Sequence, residues 1–256
     1  MRLTDRVVLV TGGGTGMGRA MSLRFAREGA AVIVNYARSR DDAEATVREI
    51  EALQPSLGAG SAALQGDVTS EAGVKAMIAE IETRFGRLDI LVNNAGWSTR
   101  VPHHKLEDLT DEIWDRTLDT NLRGAFYCVR AAMPLLRKSP APAIVNVASA
   151  AAFSSAGSSI VYAASKAAMV SMTKSLARAF APQVRVNAVC PGLIRTRFAG
   201  WPEEAFEQAR EVTPIGRLVT VEDVAGLVFF LAVEATSMTG EAILADGGVY
   251  QLGRSR

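Results

Sequence analysis

The chain has only two cysteines and two histidines among its 256 residues. Cys128 and Cys190 are far apart in sequence and form no C-x-x-C pair, so neither a disulfide framework nor a zinc site is indicated. His103 and His104 are adjacent, and on a helix or a strand they point in different directions, which argues against a metal pair. Neither sign of charge is in surplus: 28 Lys and Arg face 27 Asp and Glu, for a formal net charge of +1. Nucleic-acid binding usually requires a concentrated basic face, and this composition offers none. Long apolar runs are missing from the N-terminus, where MRLTDRVVLVTGGG holds only Val7 to Val10 before glycines intervene. That run is too short for a secretory signal or a membrane span. No repeat, low-complexity tract or linker interrupts the chain, and SPAPA at 139–143 reads as a loop. We therefore expect one domain over 1–256, cytoplasmic and reduced, with no metal, nucleic acid or membrane as partner.

What is present is 48% hydrophobic and 21% charged, the balance of a well-buried globule. Apolar runs rich in Val, Ile and Leu at 6–10, 31–35, 61–65, 90–93, 143–148, 185–189 and 242–245 alternate with helix-length segments at 18–28, 40–54, 70–85, 111–136, 161–181 and 221–231. Short uniform apolar strands between amphipathic helices predict an α/β fold with a parallel sheet covered on both faces. Thr69-Ser70 before Glu71, and Thr220 before Glu222-Asp223, carry the chemistry of helix N-caps.

The first strand runs into TGGGTGMG at 11–18 and then directly into a helix. Gly12, Gly16 and Gly18, with Thr15 and Met17 between them, allow tight turns and close approach of backbone to a phosphate, and the helix start supplies unpaired N–H groups. A purely structural turn is the competing reading. The strand, loop and helix order of a βαβ unit favours a dinucleotide. The missing Gly-Lys-Ser/Thr excludes a nucleoside-triphosphate loop.

YAASK at 162–166 places Tyr162 and Lys166 one helical turn apart on one face. An isolated pair of this kind is usually a surface contact. In the present context, a phenol donates or takes the proton that accompanies hydride transfer to or from a carbonyl, and a nearby ammonium favours the phenolate. An oxyanion also needs a donor. Ser149, at the end of AIVNVAS, is preferred over Ser154, Ser155, Ser158 and Ser159, because a strand terminus holds a hydroxyl more rigidly than a loop.

Taken together, TGGGTGMG, Asp67-Val68, NNAG at 93–96, Asn121, Ser149, Tyr162 with Lys166, and Pro191-Gly192 resemble the short-chain dehydrogenases/reductases in their single-domain branch, over essentially the whole chain. The resemblance implies a Rossmann-type, doubly wound, seven-stranded parallel sheet with helices on both faces. It implies that Asp67 and Val68 hold the adenine, and that Asn93, Ala95 and Gly96 line the middle of the cofactor. Pro191, Gly192, Ile194 and Thr196 would hold the nicotinamide amide, and Lys166 the nicotinamide ribose. Asn121 would hold a water linking Lys166 to solvent. It further implies a homotetramer built through the long helices.

The second strand ends in Asn35, Tyr36, Ala37, Arg38 and Ser39, with no acid before Asp41, so Tyr36, Arg38 and Ser39 point to NADP(H) over NAD(H). Arg38 and Arg40 as solvated helix-opening residues are the alternative, and Thr15 stands where many NADP-preferring relatives have a basic residue. Residues 193–215 are expected to form a substrate lid, with Trp97 and Phe153 as further pocket walls. Phe198, Trp201 and Phe206 give the lid aromatic surface, unless they only pin it to the core. The substrate reading is a carbonyl or secondary alcohol, with a 3-oxoacyl-carrier-protein reductase as runner-up. Against that runner-up, Ser139 to Pro142 and Pro182-Gln183 stand where those enzymes tend to carry basic residues for an acidic carrier. A non-catalytic dinucleotide-sensing protein is the alternative of another class; it predicts loss of one of Asn121, Ser149, Tyr162 or Lys166, and all four are present.

Overall fold

The computed structural model describes residues 3–53 and 60–253. Seven parallel strands form one sheet: β1 (Val7–Val10), β2 (Ala31–Tyr36), β3 (Ala62–Gln65), β4 (Ile90–Asn93), β5 (Ala143–Val147), β6 (Arg185–Pro191) and β7 (Ala242–Ala245). Their order is β3-β2-β1-β4-β5-β6-β7. The chain steps outward from β1 to β3, then returns to the other side of β1 and steps outward again. The reversal falls between β1 and β4, and a crevice opens beyond their carboxyl ends, where ligands of open α/β sheets collect.

Side chains alternate across β1. Val8 and Val10 join the layer formed with α1 (Gly16–Arg27), α2 (Arg40–Leu53) and α9 (Val221–Phe229), where Met21, Phe25, Ile50 and Phe229 are fully buried. Val7 and Leu9 join the opposite layer, with α3 (Glu71–Phe85), α5 (Gly124–Leu136) and α7 (Ile160–Phe180). Both faces of the sheet are thus dry, which is why these strands read as unbroken apolar runs. Burial of each such side chain stabilises the fold by about 1.5–3 kcal/mol.

The helix ends follow their caps. Ser70 accepts from the Gly73 N–H at 3.1 Å, and Thr220 and Asp223 form a reciprocal capping box. Ser159 accepts from the Tyr162 N–H at 3.2 Å and starts α7. The sequence misses three helices: α6 (Ala151–Ser154), α8 (Glu203–Val212) within the expected lid, and α10 (Val249–Leu252). The helix expected over 40–54 ends at Leu53, and Gln54 lies outside the described residues. The helix expected over 111–136 is α4 (Asp111–Leu118) and α5 joined by a π-helical turn at Asp119–Arg123. Among the described residues, no helix is long and apolar enough to cross a membrane, and no cluster of His, Cys, Asp or Glu could hold a metal ion.

Candidate active site

The crevice is a continuous cleft of about 2480 Å³, well above the roughly 300–1,000 Å³ of a typical small-ligand pocket. One end is the glycine loop. Gly12 and Gly16 have φ of +61° and +50°, and a Cβ at Gly12 would lie 3.3 Å from the Ala95 Cα. The loop is held from below by Asn35, whose Oδ1 accepts from the Gly12 N–H at 3.2 Å while its Nδ2 donates to the Gly66 carbonyl at 2.9 Å. Asn94 holds it from the side, donating from Nδ2 to the carbonyls of Thr11 (2.9 Å) and Gly12 (3.1 Å). The Thr15 side chain does not cap α1, and the first turn of α1 carries no acid. The N–H groups there face the cleft without a side-chain acceptor of their own. A pyrophosphate fits such a terminus through both hydrogen bonds and the helix dipole.

All the expected cofactor residues line this cleft except Asn93. Tyr36, Arg38, Ser39, Asp67 and Val68 stand along one wall, and Pro191, Gly192, Ile194 and Thr196 along the other. Asp67 accepts through Oδ1 from the N–H and hydroxyl of Thr69, at 2.9 and 2.8 Å. Asn93 is 2% exposed and lies behind the cleft, donating to the Asn146 Oδ1 at 2.9 Å; Asn94 takes the lining position instead. Asn93 is the last residue of β4, and Asn94 follows it in a turn held by its N–H to the Val92 carbonyl and the Thr11 hydroxyl, which sets its side chain beside the glycine loop.

At the other end, Ser149 leaves β5, with its Oγ accepting from the Ala151 N–H at 3.2 Å. Its hydroxyl donates to the Pro191 carbonyl at 3.4 Å, and Tyr162 and Lys166 project from the first turns of α7 into the same end of the cleft. Lys166 is 4% exposed, and its Nζ donates to the Val147 carbonyl at 2.8 Å. Burial pushes the Tyr162 phenol above its ordinary value, and the Ser149 hydroxyl opposes this only in part. Nζ of Lys166 lies 5.8 Å from the Tyr162 ring centroid, and burial pulls the ammonium itself down to about 8. A buried cation pays its own desolvation before it can help a neighbour ionise.

Asn121 sits in the π-helical turn and outside the cleft lining. Its Oδ1 accepts from the Trp97 N–H at 2.8 Å, and its Nδ2 donates to the Trp97 carbonyl at 3.0 Å and the Ser165 hydroxyl at 3.1 Å. Both ends of the side chain are thus engaged in fixing the NNAG turn against α7. Gly96 separates it from Lys166: a Cβ there would meet Asn121 Oδ1 at 3.3 Å and Lys166 Nζ at 3.9 Å.

The expected lid divides. Phe198 and Trp201 line the cleft, and Phe198 packs on Tyr162 with ring centroids 5.9 Å apart. Phe206 is buried and pins α8 to the core. The lid arginines face carboxylates: Arg195 pairs with Glu203 and Glu207, Arg210 with Glu207, and Arg197 with Asp42 at 3.5 Å. Trp97 and Phe153 line the cleft as expected, but so do Asp246, Val249 and Tyr250 of the C-terminal segment, which sequence reasoning overlooked. The signal was the Asp-Gly-Gly at 246–248 after β7.

A long cleft on a doubly wound sheet, running from a glycine loop to Ser149, Tyr162 and Lys166, is the arrangement of a dinucleotide-dependent oxidoreductase. A family model described as enoyl-(acyl carrier protein) reductase matches residues 12–250. The chain is 40% identical over 253 residues to the 3-oxoacyl-acyl-carrier-protein reductase FabG of Staphylococcus aureus, covering 98% of this chain and 100% of that protein. Among solved structures, levodione reductase is similar with TM-score 0.89 and 32% identity, covering 96% of this chain and 98% of that one. A short-chain dehydrogenase/reductase of glucose/ribitol dehydrogenase type from Brucella melitensis is similar with TM-score 0.89 and 31% identity, covering 98% of both chains. The chain belongs to the short-chain dehydrogenase/reductase family.

Proposed function

We propose that the protein reduces a carbonyl, or oxidises the corresponding secondary alcohol, with NADP(H) as cofactor and Tyr162 as general acid and base. The observation that carries this reading is the convergence of Ser149, Tyr162 and buried Lys166 at the far end of the cleft that begins at the glycine loop. The bound dinucleotide supplies or accepts the hydride. In reduction, the carbonyl oxygen rests between the Ser149 and Tyr162 hydroxyls; Ser149 stabilises the developing oxyanion, and Tyr162 gives it a proton. A raised phenol suits that direction, since it stays protonated at neutral pH. In oxidation Tyr162 must lose its proton first, and opposite charge beside it, from Lys166 and the oxidised cofactor, favours that state. Lys166 holds the nicotinamide ribose, and Asn121 keeps Trp97 and Ser165 in register behind it.

NADP(H) preference rests on Arg38 and Ser39 at the cleft, with no acid at the end of β2. The identity to FabG favours a second reading, a 3-oxoacyl-carrier-protein reductase. Against it stand the residues before β5 and after α7, Ser139 to Pro142 and Pro182-Gln183, which carry no positive charge for an acidic carrier. A single domain acting in the cytoplasm as a homotetramer completes the proposal. Exposed Trp114 and Phe126 on α4 and α5 give the subunit contacts an apolar surface. Sedimentation as a stable monomer contradicts the tetramer. The reaction is tested by following nicotinamide absorbance with simple ketones, alcohols and a 3-oxoacyl thioester, each with both cofactors. Turnover of ketones with NADPH supports the proposal, and no turnover with any pair refutes it.

A further inference from the structure

Four aromatic rings close on the hydride end of the cleft from separate parts of the chain. Phe198 from the lid lies against the Tyr162 ring at 5.9 Å, inclined by 52°. Phe153 of α6 and Tyr250 of α10, which line the same cleft, pair at 5.8 Å, inclined by 49°. Two tilted aromatic pairs thus border a single space, and such rings favour a further aromatic neighbour. Tyr250 is 44% exposed although its ring borders the cleft. Its ring is thus open to whatever occupies that end of the cleft.

The placement of Tyr250 is fixed by the fold. Asp246 follows β7, packs so tightly on Gly192 that a Cβ there would lie 2.9 Å from its own Cβ, and is 8% exposed. Its carboxylate accepts from the Gly248 N–H at 2.9 Å and from the Tyr250 N–H at 2.8 Å. The backbone of Tyr250 is thereby tied to the same β6 end that carries Pro191 and Gly192. Gly157 has φ of +151°, and a Cβ there would meet both the Ala151 Cβ and the Tyr162 ring at 3.3 Å, so the start of α6 is packed beside the Tyr162 ring with only a glycine between them. The arginines of the lid already face carboxylates and add little net charge for an anionic substrate arm.

We propose that this end of the cleft receives a flat aromatic or fused-ring ketone, stacked between Phe198 and the Phe153–Tyr250 pair, and that Tyr250 sets this preference. The inference rests on the reading of Tyr162 as the proton donor to a carbonyl. A planar ring gains aromatic contact beyond the area it buries and loses little freedom on binding, whereas a flexible acyl chain gains burial alone and is ordered at a cost, so selection comes from the rings and not from Ser149 and Tyr162.

The test compares 1-tetralone with an acyclic 3-oxobutanoyl thioester in wild type, Tyr250→Ala, Tyr250→Phe and Phe153→Ala. The wild type is expected to favour 1-tetralone in kcat/KM. Tyr250→Ala and Phe153→Ala are each expected to lower the ratio of kcat/KM for 1-tetralone over that for the thioester about tenfold, mainly through KM for 1-tetralone. Tyr250→Phe is expected to retain the preference. Calorimetry with 2-naphthol, an unreactive flat probe, is expected to show the same loss of binding in the two alanine variants, independently of turnover. Equal losses on both substrates, a wild type that favours the thioester, or unchanged naphthol binding overturns the proposal. Dinucleotide binding and melting temperature equal to wild type confirm that the variants are folded; a misfolded alanine variant leaves the wild-type preference and naphthol binding to decide. Absence of turnover with both ketones, with naphthol still bound, would instead refute the Tyr162 chemistry while sparing the aromatic site.

Discussion

Gly18→Ala probes the glycine loop where it has least room. A Cβ at Gly18 would lie 2.0 Å from the Gly12 carbonyl oxygen and 2.7 Å from the Asn94 Nδ2. The oxygen belongs to backbone, so relief requires the loop and the start of α1 to separate by more than an ångström. Overpacking of this kind costs about 1–3 kcal/mol. The Asn94 hydrogen bonds to Thr11 and Gly12 lie in the path of the shift, and each contributes about 0.5–1.5 kcal/mol. The expected loss is therefore about 2–6 kcal/mol, read as a lower urea midpoint at unchanged slope, with dinucleotide affinity reduced at least tenfold. Gly226→Ala is the matched control. It lies inside α9 with nothing within 4 Å of the added methyl group, and is expected to stabilise by about 0.5–1 kcal/mol. A Gly18→Ala protein within about 0.5 kcal/mol of wild type that binds dinucleotide normally would refute the packing account of the loop.

Lys166→Met is expected to abolish turnover without lowering stability at pH 7. Burial depresses the ammonium from 10.5 to about 8, so the unfolded chain holds more protons between those values and wild-type stability rises across that window; the variant should lack the rise in pH-dependent urea unfolding. Asp89 is buried, which pushes its carboxyl up, but hydrogen bonds from Arg87, Ser139, the Val7 N–H and Arg6 outweigh this and hold it below 3.8. Its stabilisation is present above 3.8 and lost as pH falls below that value. Asp89→Asn should cost about 2–4 kcal/mol at pH 7, with the gap to wild type narrowing under acid melting. Arg38→Asp should move the ratio of kcat/KM for NADPH over NADH toward NADH by about a hundredfold, and an unchanged ratio would remove Arg38 from cofactor choice.

The strands were legible because a sheet covered on both faces selects apolar residues at every position, as in VVLV and AVIVNY. The glycine loop was legible because Gly12 and Gly16 need left-handed backbone. Tertiary effects were harder. Nothing local in DTNLR announces a π-helical turn, and its consequence, Asn121 reaching the backbone of Trp97, depends on the NNAG turn arriving from β4. The exchange of Asn93 for Asn94 depends on the turn that follows β4, held by the Thr11 hydroxyl. Spacing placed Tyr162 and Lys166 on one face of α7, but burial, which spacing does not report, is the largest influence on both groups, raising the phenol and lowering the ammonium. Tyr250 escaped because a four-residue helix has no periodicity, and only Asp246 folding back on it aims it at the cleft.

The central claim is that the Tyr162 hydroxyl delivers the proton to the substrate oxygen. Single-turnover reduction of a ketone by NADPH-loaded Tyr162→Phe tests it most directly, with dinucleotide affinity measured on the same sample. The account predicts affinity within about threefold of wild type and a hydride-transfer rate lower by at least about a hundredfold, as expected when a positioned general acid is removed. A rate near wild type, with the ring still in place and only its oxygen gone, would contradict it.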